Sequence, residues 1–358
     1  MSRLKATMLG VLFFVLIICL SGCGDLVEIQ ERDFVMALGV SYADGQYRVT
    51  YGLPDLGKIT DQPTAEQSSL LRTYEGQSLY EMEQSYNTNS EKRLDYRHLQ
   101  SIILDSAICS NQQAMKNFLL QINDNYDISD NVLVYFHESE LEELMGLGGV
   151  NGSIGEHLKK LNGNNYVEGM EPAKIGELVN CLANSRTLFI PEIINQDDSI
   201  AIDGGILLQE NRMVKQISQA ESQYYFISLG KSNEYLLRFD NEYLLRLEEI
   251  KTKLSYEMTG DGPKIDIHVS GSAEVLSGSR MDHAVIKDSF DRYIGEQIEQ
   301  ELADFMKRQG IDYLNLYEKS SYHNRKIWQL YENREAEFIE DVKIQVMVDI
   351  QYEQHLQK

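Results

Sequence analysis

A charged leader and a short apolar run open the chain and set its relation to the membrane. Arg3 and Lys5 precede thirteen uncharged residues, Met8–Leu20. A helix needs about 20 apolar residues to cross the hydrocarbon core of a bilayer. The run is therefore predicted to be the hydrophobic region of a cleavable signal peptide and not a permanent span.

The apolar run ends in Leu20-Ser21-Gly22-Cys23, which has the form of a bacterial lipobox. In such a box the cysteine thiolate takes up diacylglycerol, and cleavage then makes the cysteine the first residue. We predict a signal peptide over residues 1–22 and a diacylglyceryl group, with palmitate, on Cys23. Two acyl chains give stable anchoring where one is marginal. The alternative is an ordinary secretory peptide, or a core helix, with a chance cysteine.

Acidic residues dominate the charge, since 56 Asp and Glu oppose 33 Lys and Arg and leave a net charge of -23. Proteins that bind nucleic acid gain affinity from cations placed against phosphates, so we expect no DNA or RNA partner. The chain has 42% hydrophobic and 25% charged residues, as globular proteins do. Its 358 residues allow two or three domains.

Two further cysteines remain in the mature chain, Cys109 and Cys181. Both lie in apolar stretches, which favours two inert core thiols. A disulfide between them is the alternative, because an exported protein can form one. The sequence has neither a CxxC pair nor zinc-like Cys/His spacing, so no metal ligand is predicted.

The first half of the chain alternates strands with helices. Two β-prone runs, Phe34–Val40 and Tyr47–Tyr51, flank Asp44-Gly45, which is the signal of a type I′ hairpin turn. Pro54 to Gly76 is predicted to be a loop or an edge segment. Periodicity predicts helices over residues 78–90, 113–122, 139–147 and 172–183, and strands over 99–104 and 132–136. This alternation predicts an N-terminal α/β domain over residues 23–190.

The second half has a different pattern, and the polar stretch Pro191–Asp198 marks the predicted boundary. A hairpin and a short helix near residues 198–232 form a possible small middle subdomain. Strands over 253–258 and 265–276, a long amphipathic helix over 283–308, a helix over 328–338 and an alternating strand over 342–352 follow. They predict a C-terminal α+β domain, 191–358, with an antiparallel sheet backed by the long helix. The chain as a whole is predicted to be multi-domain α+β.

The sequence lacks the common motifs of catalysis. HExxH, GxSxG, GxxxxGK[ST] and GxGxxG are all missing. We therefore predict that the protein is not an enzyme and has no catalytic, cofactor-binding or metal-binding residues.

A basic segment, Lys92–His98, stands out in this acidic chain. One interpretation is that it meets an acidic surface of a partner. The alternative is that Arg93 and Arg97 pair with Glu91 or Asp95, or are only solvated.

Trp328 is the single tryptophan of the chain. We predict that it closes an edge of the C-terminal core, because its neighbours Ile327 and Leu330 also need cover. An exposed Trp328 that anchors a membrane partner is the alternative.

The mature chain resembles, over its whole length, the Ger(x)C family, the lipoprotein C subunits of spore germinant receptors. The matching pieces occur in the order and spacing of that family. They are the lipobox with Asp25 and Glu28, Leu38–Val40 with Tyr47–Thr50, Glu75–Ser78, Arg97–Leu104, Gly204–Leu208 with Met213-Val214, and Lys326–Trp328 with Phe338 and the closing strand.

The resemblance implies a non-enzymatic subunit that supports nutrient-triggered germination. It would be held by lipid on the outer face of the spore inner membrane, beside the integral membrane A and B subunits of the receptor. Only Cys23 carries over by motif, because the family has no established catalytic residues. Two other interpretations stay open, a substrate-binding lipoprotein of a transporter and, with no motif in its favour, a cell-wall hydrolase.

Overall fold

The computed structural model describes residues 31–54, 70–147, 153–163, 172–182, 186–196, 199–231, 234–239, 242–277 and 283–353. The predicted signal peptide and Cys23 lie outside these ranges. None of the described helices combines the length and the apolar character that a membrane span requires.

A nine-stranded sheet organises the first part of the chain. Its strands lie in the order β11-β10-β9-β7-β6-β2-β3-β4, and the short β8 pairs with β7. Their bounds are β2 Ala37–Ala43, β3 Gln46–Leu53, β4 Leu70–Gly76, β6 Ser101–Asp105, β7 Leu133–His137, β8 Ala173–Lys174, β9 Leu188–Gln196, β10 Ser199–Gln209 and β11 Arg212–Ile217. Outside this sheet, β1 Arg32–Phe34 pairs in parallel with β5 Arg93–Asp95.

Four neighbouring strands of this sheet, β2, β6, β7 and β9, run parallel. Helices cover both faces, as parallel sheets require. One face packs against α1 Leu79–Asn89, α2 Ser106–Ser110, α3 Gln112–Asn123 and α6 Ile175–Asn180, and the other packs against α4 Leu141–Gly146 and α5 Ile154–Gly163. The run Ile102-Ile103-Leu104 is fully buried because it sits between these two helical layers.

The predicted hairpin at Asp44-Gly45 is confirmed. The strands β2 and β3 pair antiparallel across this turn, and both turn residues have positive φ, 51° and 82°. A type I′ turn needs this conformation at both central positions, which is why an Asp-Gly pair predicts it. The part of Pro54–Gly76 that the structure describes, β4, is the edge strand of the large sheet.

The predicted boundary at Pro191 lies inside strand β9, which joins both halves of the structure. The strands β9, β10 and β11 extend the large sheet. Their residues Phe189, Leu207 and Ile217 belong to the same core as the C-terminal helices and strands. The division into domains 23–190 and 191–358, and the small middle subdomain near 198–232, stay predictions.

The C-terminal part is a four-stranded sheet in the order β12-β13-β14-β15. The bounds are β12 Tyr235–Phe239, β13 Tyr243–Thr259, β14 Gly262–Ser277 and β15 Lys343–Glu353. Two helices pack on the core of this sheet, α7 Gln219–Leu229 and α8 His283–Leu302, and α8 continues as a π-helical turn, Ala303–Arg308. Phe290, Ile294, Ile298 and Leu302 form the buried stripe of α8. This arrangement confirms the α+β class.

Two details of the C-terminal prediction are wrong. The sheet is not wholly antiparallel, because β15 pairs in parallel with β14. The chain crosses back through α8 and three short helices before β15 begins: α9 Leu316–His323, α10 Arg325–Tyr331 and α11 Glu335–Asp341. The single helix expected over 328–338 is in fact α10 and α11, which Asn333 separates with a positive φ of 59°.

Candidate functional site

The first described strand, β1, lies beside the basic segment Lys92–His98. Strand β1 pairs with β5, so that Arg32 lies opposite Arg93 and Phe34 opposite Asp95. We call the surface formed by Arg32, Lys92, Arg93, Arg97 and His98 the entry patch.

One buried carboxylate organises the entry patch. Asp95 is only 3% exposed, and its carboxylate accepts hydrogen bonds from Arg32 Nη1 at 2.8 Å and from Arg97 Nε at 2.9 Å. It also accepts the backbone N–H of Arg97 at 3.1 Å. The guanidinium groups of Arg97 and Arg32 hold the pKa of Asp95 well below its usual range. The expected alternative, pairing of Arg97 with Asp95, is therefore confirmed, and Arg32 is a partner that the sequence analysis missed.

A second carboxylate lies under the other end of the patch. Asp33 accepts hydrogen bonds from Tyr86 Oη and from Lys92 Nζ, the latter at 3.2 Å. The cations lie outside and the carboxylates inside, since the side chain of Arg97 is 52% exposed. Arg93 is exposed and forms no ion pair within the described part of the chain. The patch thus presents cations to its surroundings.

The carboxyl ends of the parallel strands form the edge where α/β sheets usually bind ligands. Three buried ionisable residues lie there, and each is held by the fold. Asp105 accepts the N–H of Ile108 at 3.0 Å, His137 Nδ1 lies 2.7 Å from the carbonyl oxygen of Ile193, and Glu192 accepts the amide of Gln216 at 2.8 Å. Burial raises the pKa of both carboxyls, Asp105 and Glu192. These three hydrogen bonds hold the side chains in the fold, and none of them joins a nucleophile to a general base.

Within the described ranges, no three His, Cys, Asp or Glu side chains come together in an arrangement that could hold an ion.

Both cysteines of the body are free thiols. Cys109 is buried in the core as predicted, and Cys181 is half-buried. Burial raises the pKa of Cys109 well above its ordinary value and that of Cys181 to about 11. Because the thiolate is the reactive form, neither residue has the character of a catalytic cysteine.

Trp328 is half-buried, and its ring centroid lies 5.1 Å from that of Tyr317. Ile327 is fully buried, whereas Leu330 is exposed, so the expectation that both neighbours need cover is wrong for Leu330. The helix α10 is short and presents only one of these residues to the core.

A set of polar contacts joins the large sheet to the C-terminal helices. The N–H of Thr187 donates to Asn315 Oδ1 at 2.6 Å, and Thr187 Oγ1 donates to the carbonyl of Asp312 at 2.9 Å. Asp312 in turn accepts the N–H groups of Leu316 and Tyr317 and so caps α9. Burial raises the pKa of Asp312 to about 6 despite these hydrogen bonds. The two halves of the chain are therefore held together through ordered side chains.

Comparisons with known proteins place both halves in one family. Residues 25–194 match the model of the spore germination protein N-terminal domain, and residues 203–355 match that of the spore germination B3/GerAC-like C-terminal domain. Spore germination protein A3 of Bacillus subtilis is 20% identical over 215 residues. That match covers 59% of this chain and 57% of the length of the relative.

A solved structure shares the fold. The crystal structure of the GerBC protein superposes with a TM-score of 0.60 at 15% identity, over 88% of this chain and 96% of that one. The coverage shows that the large sheet and the C-terminal sheet occur together in both proteins.

Proposed function

Because this chain belongs to the Ger(x)C family of spore germination proteins, we propose that it is the lipid-anchored C subunit of a germinant receptor. In this role it would support nutrient-triggered germination without catalysing a reaction. The observation that carries the proposal is the succession of two family domains, which together extend from residue 25 to residue 355.

The lipobox supports the proposed anchor. Eight residues separate Cys23 from Arg32, the first residue of β1. At 3.3–3.6 Å per residue this segment reaches about 30 Å, so the lipid would hold the entry patch within that distance of the bilayer. Diacylglyceryl and palmitate chains on Cys23 would keep the body on the outer face of the spore inner membrane.

The partners would be the integral membrane A and B subunits of the receptor. The absence of catalytic motifs supports a role in binding, and the buried ionisable residues Asp105, His137 and Glu192 are each held by the fold. The net charge of -23 gives no support for a nucleic-acid partner.

Complementation of spores that lack this chain tests the proposal. Wild-type protein should restore germination with nutrients, and Cys23→Ala should fail to do so because the body is not held at the membrane. Cys19→Ala is the matched control, since Cys19 leaves with the signal peptide and its loss should not matter.

Mass spectrometry of the mature N-terminus completes the test. We expect a lipid-modified Cys23 as the first residue. An unmodified Cys23, or cleavage elsewhere, contradicts the anchor, and normal germination in spores without the chain contradicts the receptor role.

A further inference from the structure

A groove next to the entry patch carries two tyrosines that the fold leaves in solvent. Tyr126 is 100% exposed and Tyr80 is 71% exposed. Both line the same depression of about 530 Å³, between the start of α1 and the end of α3. Single exposed apolar residues are ordinary, but two large aromatic residues that share one groove indicate a binding surface.

The groove is acidic as well as aromatic. Glu83, Asp124 and Asp127 line it together with the tyrosines. Burial, and then the charge of Asp127 in the same groove, raise the pKa of the Glu83 carboxyl, so the charge of Asp127 opposes ionisation of Glu83. A cation placed between them would relieve this repulsion, and the tyrosine faces would attract it through cation–π contact.

The walls of the groove are fixed before any partner arrives. The N–H of Leu79 donates to Gln121 Oε1 at 2.7 Å and ties the start of α1 to α3. Asn125 Oδ1 accepts the N–H of Asp127 at 3.1 Å and holds the loop that carries Tyr126. A preformed surface loses less conformational entropy when it binds.

We propose that this groove, lined by Tyr80, Tyr126 and three carboxylates, binds a segment of a membrane partner that bears Lys or Arg side chains. The inference rests on the proposed function, because it takes the receptor subunits as the partners. The location agrees with it: Tyr86, on the helix α1 that also carries Tyr80 and Glu83, donates to Asp33, and Asp33 also accepts from Lys92 of the entry patch. The helix α1 thus links the groove to the entry patch, which the proposed anchor holds near the bilayer.

Alanine variants of the exposed tyrosines test the groove. Tyr80→Ala and Tyr126→Ala should each weaken capture of the A and B subunits from spore membranes by about tenfold or more, as truncation of interface tyrosines does. Tyr322→Ala is the matched control, because Tyr322 is 77% exposed but lies on α9, away from the groove. All three variants should melt at the wild-type temperature, since none of these rings is buried.

Cross-linking identifies the occupant. A photoreactive residue at position 126 of the full lipidated chain, irradiated in spore membranes, should attach to a subunit peptide that contains Lys or Arg. Attachment to lipid, or to a segment without cations, overturns the inference, as does capture by the tyrosine variants equal to that by Tyr322→Ala. Failure of the wild-type chain to capture either subunit contradicts the proposed function itself. The cross-link at position 126 then shows separately whether the groove binds a cationic segment.

Discussion

A half-buried carboxyl on α8 gives a sharp prediction about pH. Glu301 accepts a hydrogen bond from Tyr313 Oη at 2.8 Å. Burial raises the pKa of Glu301 from 4.5 to about 8, the charge of Glu221 adds to this, and the Tyr313 hydrogen bond and Lys215 act in the opposite direction. The folded chain therefore keeps a proton at Glu301 between pH 4.5 and 8, where the unfolded chain has released it.

The sign and size of the effect follow from proton linkage. A folded-state pKa above the unfolded value makes stability fall as pH rises from 4.5 to 8, with no further change above 8. Each pH unit within that window corresponds to about 1.36 kcal/mol. Between pH 6 and pH 8, Glu301 should lower the free energy of unfolding by about 2 kcal/mol.

Glu301→Gln isolates this contribution. The amide keeps an acceptor for Tyr313 but carries no charge, so the variant should lose about 2 kcal/mol less than wild type between pH 6 and pH 8. Urea titrations at the two pH values measure the difference. Glu296→Gln, the same change at an exposed position of α8, should follow the wild-type profile.

Tyr313→Phe provides a second check on the same reasoning. It removes the hydrogen bond that favours the charged form of Glu301, so the loss of stability toward pH 8 should be at least as steep as in wild type. If Glu301→Gln instead shows the same pH dependence as wild type, the carboxyl is well solvated and the packing of α8 against Tyr313 is wrong.

Two further predictions concern packing. Phe338→Ala should lower the free energy of unfolding by about 3–5 kcal/mol, because Phe338 is fully buried. Trp328→Ala should lower it by only about 1–2 kcal/mol, because Trp328 is half-buried. Equal losses would contradict the position of Trp328 at the edge of the core. Gly155→Ala should lower the melting temperature, because the added Cβ would lie 2.1 Å from the carbonyl oxygen of Met36. Gly146→Ala is the control: its Cβ would have no neighbour within contact distance, so this variant should be neutral or stabilised by up to about 1 kcal/mol.

Local patterns predicted most of the secondary structure, because one face or both faces of each element are buried. The stripe of α8 and the alternation of β15 are examples, and so is the Asp44-Gly45 turn, whose backbone conformation depends on only two residues. These features need no knowledge of distant parts of the chain.

Relations between distant segments could not be predicted in this way. The parallel pairing of β15 with β14 depends on the path of the connecting helices. The partnership of Arg32 with Asp95 joins residues 63 positions apart, and no local signal marks it. Pro191–Asp198 is predicted as a boundary because the stretch is polar and begins with a proline, and that division stays a prediction. What no local pattern indicates is that Pro191 lies in strand β9, whose residue Phe189 belongs to the second core.

The exposed tyrosines of the groove show the same limit. Helical spacing places Tyr86 on the same face as Met82, and both residues are buried, whereas Tyr80 lies off that face and is in solvent. The sequence does not indicate that Tyr80 and Tyr126, which are far apart along the chain, line one groove.

The most direct test of the proposed role is affinity capture of the tagged, lipidated chain from detergent-solubilised spore membranes, with protein identification by mass spectrometry. A germinant-receptor C subunit should bring down both integral membrane subunits, A and B, in amounts well above those from untagged spores. Recovery of the chain alone, or together with the permease and ATPase of a transporter, would contradict the proposal.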